Sequence, residues 1–152
     1  MTDEASGNVD NALRMAHGVP HAVALGFEFV SSGDGVGVMK MPWREDLVGD
    51  PATGVIAGGA VTSLLDHVGG MAIQSAFTRA SRDGGTTMMA TLDLRIDYMR
   101  AAHPRRDIIA RAHCYKLTHT IAFVRASAFE DGPEDPIATV QAAFALTGGP
   151  GR

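Results

Sequence analysis

The chain has 152 residues, which is enough for one domain of ordinary size. Its composition, 45% hydrophobic and 20% charged, is that of a globular protein and argues against disordered, collagen-like or coiled-coil classes. The net charge of −4 gives no overall basic surface for nucleic acid, and the single cysteine, Cys114, excludes an internal disulfide framework and a cysteine-based zinc cage.

No segment looks like a membrane anchor, a targeting signal or a metal site. The first residues are acidic and polar, and no apolar run approaches the ~18–20 residues of a membrane span. His17 and His21 are four apart, but Gly18 and Pro20 break the helix that would align them. We therefore expect a cytoplasmic protein without a membrane, nucleic-acid or metal partner.

The predicted elements follow one another without a repeat or a linker. We expect a flexible tail over 1–9 and one domain over 10–148, which begins with a short helix over 10–17. A strand over 22–30 and a second strand that stops before Pro42 flank a glycine-rich turn. Residues 43–57 look irregular.

The second part of the chain is predicted to hold one long helix and four strands. Residues 58–80 contain no proline and carry apolar residues three and four positions apart, which predicts a helix. Strands are predicted over 86–99, 107–117, 120–130 and 137–147. In the first of these, Leu92, Leu94, Ile96 and Tyr98 alternate with Asp93, Arg95 and Asp97. This order predicts an α+β fold in which about six antiparallel strands cover one long helix.

The start of the long helix carries the main functional hypothesis. Gly58 and Gly59 open it, where free N–H groups can hold a developing oxyanion and glycine lets a ligand carbonyl approach. Asp66 follows eight residues after Gly58, on a face of small residues that includes Gly69. A lone carboxylate there suggests close approach by a ligand or a second chain, and a local hydrogen-bonding role is the alternative.

Three stretches together point to a family. They are Gly49-Asp50-Pro51 followed by Gly58 to Asp66, then Ala90 to Ala102, then Ile121 to Ala126. They resemble the hotdog-fold acyl-CoA thioesterases, specifically the phenylacetyl-CoA thioesterase-like (PaaI-like) group. That group has an Asn-Pro pair, a His-Gly-Gly run and an acidic residue eight positions after the first glycine. The resemblance implies a sheet wrapped around a central helix, and hydrolysis of acyl-CoA to free acid and coenzyme A without a cofactor.

The resemblance also implies roles for individual residues. Asp66 would activate water or attack the thioester carbonyl, and the N–H of Gly58 would stabilise the oxyanion, with Gly59 as a substrate contact. Thr91 would position the water or the carboxylate, and Asp50 takes the place where the group often has Asn. The group assembles its active site across a dimer, so the resemblance implies a homodimer or a homotetramer made of two dimers.

Two positions depart from the group's pattern. Ala57 stands where the group commonly has His, and Asp50 introduces a possible second negative charge near Asp66. Two other functions therefore stay open. One is a hotdog protein that binds acyl-CoA, or serves as an assembly partner, without catalysis. The other is a dehydratase or hydratase, which the missing histidine disfavours.

Further substrate contacts are predicted outside the helix. Arg100, Arg105 and Arg106 cluster after the main strand, and arginine forks suit the phosphates of coenzyme A. A solvated loop is the alternative for each of them. Met89 is a candidate for a flexible acyl pocket, with core packing as the alternative.

Overall fold

A computed structural model describes residue 14 and residues 18–81 and 85–147 of the chain. It contains the helices α1 (Pro20–Ala24) and α2 (Gly58–Ala80) and a 3-10 turn over Glu45–Leu47. Its strands are β1 (Glu28–Gly33), β2 (Val36–Met41), β3 (Val48–Asp50), β4 (Val55–Ile56), β5 (Met89–Tyr98), β6 (Ile108–Leu117), β7 (Ile121–Phe129) and β8 (Ala138–Leu146). The predicted tail, both ends of the predicted domain and the predicted helix over 10–17, except residue 14, lie outside the described residues.

Six of the strands form one antiparallel sheet around helix α2. Their order is β1-β2-β6-β7-β8-β5, while β3 and β4 pair with each other in a separate sheet. Helix α2 packs against all six strands, and Leu64, Val68 and Met71 on it are fully buried. Each such side chain contributes about 1.5–3 kcal/mol by leaving water. The predicted α+β hotdog architecture is confirmed, and α2 has the predicted bounds.

Strand β5 contains a β-bulge that changes which side chains face the helix. The register with β8 shifts between Thr91 and Asp93, so that Leu92, which is 59% exposed, has no residue opposite it. Thr91 lies opposite the buried Phe144 and therefore points to the same inner face as Leu94. Strict alternation would have packed Leu92 inside and turned Thr91 outward.

Two predictions for the first third of the chain were wrong. The stretch over 22–30 is not one strand, because Pro20 starts α1 and Gly26, with a φ of +72°, follows its end. Strand β1 therefore begins only at Glu28. Residues 43–57 are more ordered than predicted, since they hold the 3-10 turn and the β3–β4 hairpin that leads into α2.

A buried carboxylate fixes the loop between β5 and β6. Glu130, whose side chain is 1% exposed, accepts hydrogen bonds from Arg100 Nη2 at 2.7 Å and from the His103 backbone N–H at 2.5 Å. His103 Nδ1 lies 3.0 Å from the same carboxylate. Burial alone would raise the pKa of Glu130, but these donors outweigh it and hold the pKa below its usual range.

We expect Glu130→Gln to lower the free energy of unfolding at neutral pH by about 1–3 kcal/mol, because the negative charge opposite Arg100 is lost and one accepting oxygen becomes an NH₂ group that cannot accept. The pKa of Glu130 is lowered by folding, so its contribution is full above the unfolded-state pKa and is lost as pH falls through the folded value. Urea unfolding between pH 7 and pH 3 should therefore bring wild type and variant together in acid. Glu134→Gln at an exposed site is the control, and a constant gap down to pH 3 would contradict the prediction.

Candidate active site

Helix α2 begins with backbone donors for which the described part of the chain supplies no acceptor. The residue before it, Ala57, is extended and has no side chain that could cap the helix. Among the described residues, no hydrogen-bond acceptor lies at the N–H of Gly58 or of Gly59. Free N–H groups at a helix start carry the positive end of the helix dipole, so this point favours a negatively charged or polarised oxygen.

The two glycines have different surroundings. A side-chain carbon at Gly58 would lie 3.1 Å from the Tyr98 hydroxyl oxygen and 3.3 Å from Cζ of its ring. Tyr98 Oη donates a 2.6 Å hydrogen bond to the Gly58 carbonyl. A side-chain carbon at Gly59 would meet no atom within 4 Å. Gly58 is therefore needed for contact within the chain, whereas Gly59 leaves open space in front of the helix.

Asp66 and Thr91 are brought together as a pair. The Thr91 hydroxyl donates a 2.8 Å hydrogen bond to Asp66 Oδ1, and Asp66 is half-buried. The contact depends on the bulge at Leu92, which turns Thr91 toward α2. Since this bond engages only one carboxylate oxygen, Oδ2 is left to accept a further proton or hydrogen bond.

Gly58 and Asp66 of one chain do not meet. They are eight residues apart on a continuous helix, which separates them by about 12 Å along its axis. A base must lie within about 3 Å of the proton that it takes, so these groups cannot act on one carbonyl from the same chain. The predicted small face around Asp66 is also partly internal, because Gly69 is buried and a side-chain carbon on it would lie only 3.2 Å from the Phe144 ring.

Asp50 lies in the turn that precedes α2. Its Oδ1 accepts from the backbone N–H of Ala52 at 3.0 Å, and its carbonyl accepts from Thr53 and Gly54. No hydrogen bond joins Asp50 to Asp66 in the described part of the chain. Asp50 therefore shapes the β3–β4 turn, and Trp43 Nε1 closes this turn by donating to the Gly54 carbonyl at 2.9 Å.

The three predicted arginines differ in how their charge is matched. Arg100 forms ion pairs with Glu130 at 2.7 Å and Asp135 at 3.0 Å, and Arg106 pairs with Asp131. For Arg105, no acidic partner lies among the described residues. Its backbone has a φ of +57°, and its N–H donates to the Gly54 carbonyl at 3.3 Å. Arg105 is thus held over the turn that leads to Gly58, with its charge unmatched in that part of the chain.

Met89 lies at the far end of β5 from Tyr98. It is half-buried, packs against the core and lines a surface cavity together with Gln74 and Thr87. The structure does not bring it to the start of α2. Cys114 is buried, and burial raises the pKa of its thiol to about 11 and keeps it protonated. A protonated thiol is a poor nucleophile, so Cys114 is not a candidate for catalysis.

A cavity of about 330 Å³ lies beside Gly58. Its walls are largely apolar and are formed by Val55, Ile56, Gly58, Val61, Tyr98, Met99, Arg100, Ala101, Ala102 and Ile137. The sequence placed Tyr98 on the inner face of β5, but it held no sign of the contact with Gly58, which is 40 residues away.

No helix in the described ranges is long and apolar enough to cross a membrane. Those ranges also bring together no group of three or more His, Cys, Asp or Glu side chains that could hold a metal ion.

Comparison with known proteins places these features in a family. The sequence pattern of the thioesterase superfamily matches residues 53–137, which is more than half of the chain. A Halobacterium salinarum protein named as an esterase is 31% identical over 104 residues, covering 68% of this chain and 65% of its own length. A solved Pseudomonas aeruginosa structure is 33% identical, with a TM-score of 0.78 over 91% of this chain and 98% of the other.

Two solved structures of lower identity show likeness of fold alone. PaaI of E. coli, from the phenylacetic acid degradation operon, is 18% identical with a TM-score of 0.79, over 97% of this chain and 99% of its own. A Streptococcus mutans protein, whose structure contains acetyl-CoA, is 17% identical with a TM-score of 0.68, over 83% and 92% of the two chains.

Alanine substitutions at the two glycines should separate their roles. We expect Gly59→Ala to raise the free energy of unfolding by about 0.5–1 kcal/mol, because the added carbon enters open space and alanine favours the helix. Gly58→Ala should be less stable than Gly59→Ala by at least about 1 kcal/mol, since Tyr98 must move. Urea unfolding of both variants checks this, and equal stabilities would contradict it.

Proposed function

Because this chain belongs to the thioesterase superfamily, we propose that it hydrolyses acyl-CoA thioesters to the free acid and coenzyme A. The observation that carries the proposal is the division of the site. Asp66, whose carboxylate accepts from Thr91, lies eight residues along α2 from its start. The N–H groups of Gly58 and Gly59, which have no acceptor among the described residues, lie at that start. These are a base and an oxyanion site, the two parts that thioester hydrolysis requires.

A second copy of the chain would bring the two parts together. Strand β5 lies at a sheet edge, and Leu92 and Tyr98 on it are 59% and 49% exposed. A long exposed edge strand is ready to pair with another strand. Thr91 lies at the Asp66 end of β5 and Tyr98 at the Gly58 end. Antiparallel pairing of two β5 strands about a two-fold axis would therefore set Asp66 opposite Gly58 of the partner subunit.

In the proposed reaction, the thioester carbonyl oxygen accepts hydrogen bonds from the N–H groups of Gly58 and Gly59. Asp66 of the other subunit takes a proton from water through Oδ2, while Thr91 holds Oδ1. The water oxygen attacks the carbonyl carbon, and the negative charge on the carbonyl oxygen is stabilised at the helix start. Collapse of this intermediate breaks the carbon–sulfur bond, and the proton that Asp66 took from water passes to the leaving thiolate, so that coenzyme A leaves as the thiol and Asp66 is again a carboxylate. Direct attack by Asp66 is the alternative first step.

Arg105 is the best candidate for contact with the phosphates of coenzyme A. It is held over the turn before α2, whereas Arg100 and Arg106 already have acidic partners. Guanidinium groups bind phosphate with two parallel hydrogen bonds. A guanidinium without a carboxylate partner can form both of them without first breaking an ion pair. The Streptococcus mutans protein of the same fold supports coenzyme A as the ligand class.

A non-catalytic acyl-CoA-binding function is the second candidate. The observation in its favour is Ala57, which offers no polar side chain at the helix start. The two candidates differ in one measurement, the release of thiol from a panel of acyl-CoA thioesters. Binding of a panel member without release from any would favour the second candidate.

Asp66→Asn should lower kcat/KM for hydrolysis by about 10²–10⁴-fold, because the amide cannot take a proton from water. A thiol-release assay on acetyl-, phenylacetyl- and long-chain acyl-CoA measures the rate. Asp93→Asn, on the outer face of β5, is the control for loss of a carboxylate. Wild-type rates in Asp66→Asn would contradict the role of Asp66.

The two-subunit site has its own test. Gly58→Pro removes the N–H, and the extended backbone of Ala57 before it is compatible with proline. Like alanine at this position, proline requires Tyr98 to move. We expect Asp66→Asn and Gly58→Pro homodimers to be inactive. A purified heterodimer with one chain of each should recover about half of wild-type activity, since one of its two sites is intact. An inactive heterodimer with a wild-type melting temperature would contradict a shared site.

Arg105→Ala should raise KM for acyl-CoA by about 3- to 10-fold with little change in kcat, because a charge-assisted contact to phosphate is lost. The thioester of N-acetylcysteamine, which lacks the nucleotide and its phosphates, should show the same KM with wild type and variant. Arg106→Ala, which removes an arginine already paired with Asp131, is the matched control. Equal effects on both substrates would contradict phosphate binding by Arg105.

A further inference from the structure

We propose that Tyr98 is a positioning residue for the hydrolysis proposed above. It would act through the peptide group between Gly58 and Gly59, which its hydroxyl orients and polarises. This inference rests on the proposed function, because it concerns the donors that would stabilise the oxyanion. It adds a residue that the sequence motif does not contain.

The first argument is the hydrogen bonding of the Gly58 carbonyl. Tyr98 Oη donates to it at 2.6 Å, and Thr62 Oγ1 lies 3.1 Å from the same oxygen. The two hydroxyl oxygens lie 2.7 Å apart. Thr62 can therefore donate to the carbonyl or to the Tyr98 oxygen, and in the second case it strengthens the Tyr98 donation. The Gly58 carbonyl is therefore more strongly hydrogen-bonded than an ordinary helical carbonyl.

The second argument is the chemistry of the peptide group. The carbonyl of Gly58 and the N–H of Gly59 belong to the same planar amide, which is held planar by electron delocalisation. A strong hydrogen bond to its oxygen draws electron density from the nitrogen and makes the N–H a better donor. That N–H has no acceptor in the described part of the chain, and the space that a side-chain carbon on Gly59 would occupy is empty. Tyr98 therefore strengthens the donor that faces the substrate side.

The third argument is orientation. The Tyr98 ring packs closely against Gly58, since a side-chain carbon there would come within 3.5 Å of three of its atoms. Tyr98 also belongs to β5, the strand that carries Thr91 and so holds Asp66. One strand thus fixes both the carboxylate and the first turn of α2. A donor that is already oriented does not need to be reorganised during the reaction.

The experiment compares Tyr98→Phe with Tyr115→Phe. Tyr115, the other tyrosine of the chain, lies on β6 and stacks with Arg125, away from α2. Removing a whole oxyanion donor costs about 10²–10³-fold in rate, so weakening one should lower kcat by about 5- to 30-fold. KM and the melting temperature of Tyr98→Phe should stay near wild type, because the ring still packs on Gly58. Tyr115→Phe should leave kcat and KM unchanged.

A second measurement does not depend on turnover. The amide ¹⁵N and ¹H resonances of Gly59 report the hydrogen bonding of the Gly58 carbonyl, and both should move upfield in Tyr98→Phe but not in Tyr115→Phe. A Thr62→Ala, Tyr98→Phe double variant should lose less in kcat than the product of the single losses, because both hydroxyls act on one carbonyl.

The outcomes separate this inference from the proposed function. A lower kcat at constant KM, together with the Gly59 shift, supports positioning by Tyr98. Wild-type kcat in Tyr98→Phe, with an active wild-type enzyme, overturns the inference and leaves the proposed function standing. A rise in KM alone also overturns it, since it would make Tyr98 a wall of the cavity only. No thiol release by the wild type on any panel member overturns the proposed function first.

Discussion

The rigidity of helix α2 is the constraint on which the other features of this protein depend. One continuous helix is packed against all six strands of the sheet, so its ends cannot move relative to each other without exposing the core. The rise of an α-helix then fixes Gly58 and Asp66 about 12 Å apart. Gly58 and Asp66 of one chain therefore cannot act on the same carbonyl, and the proposed function requires a second copy of the chain.

Strand β5 connects the two ends of the helix. Its first half carries Thr91 to Asp66, and its last residue, Tyr98, contacts the first turn of α2. The bulge at Leu92 makes both contacts possible, because it changes the alternation between them. The same strand lies at the edge of the sheet, where no other strand of the described residues pairs with its outer side, so the element that orders the candidate site is also available for pairing. Catalysis and assembly would therefore be coupled through a single strand.

Charge around the site is arranged by the loop that follows β5. Glu130 is buried and holds Arg100 and His103, which fixes one wall of the cavity beside Gly58. Because Arg100 is engaged in this ion pair, its charge is not available to a substrate phosphate. Arg105 remains, in a left-handed backbone conformation that places it over the turn before α2. Strained backbone of this kind persists only where neighbouring contacts hold it.

The sequence by itself determined the elements with strong periodicity or a distinctive motif. The spacing of apolar residues predicted α2 to the residue, and the glycine pair and Asp66 marked a candidate site, because these signals are local. It did not determine α1, because a short apolar stretch can form a strand or a helix. Pro20 is the first residue of this helix, but a proline alone does not show whether a helix or a strand follows it.

Only the tertiary structure decided which residues meet. A bulge leaves no mark in an alternating pattern, so nothing local could show that Thr91 faces Asp66. The contact of Tyr98 with Gly58, and the capture of Arg100 by Glu130, join residues 40 and 30 positions apart. Such contacts depend on how the sheet wraps around the helix, and that is a property of the packed core rather than of any segment.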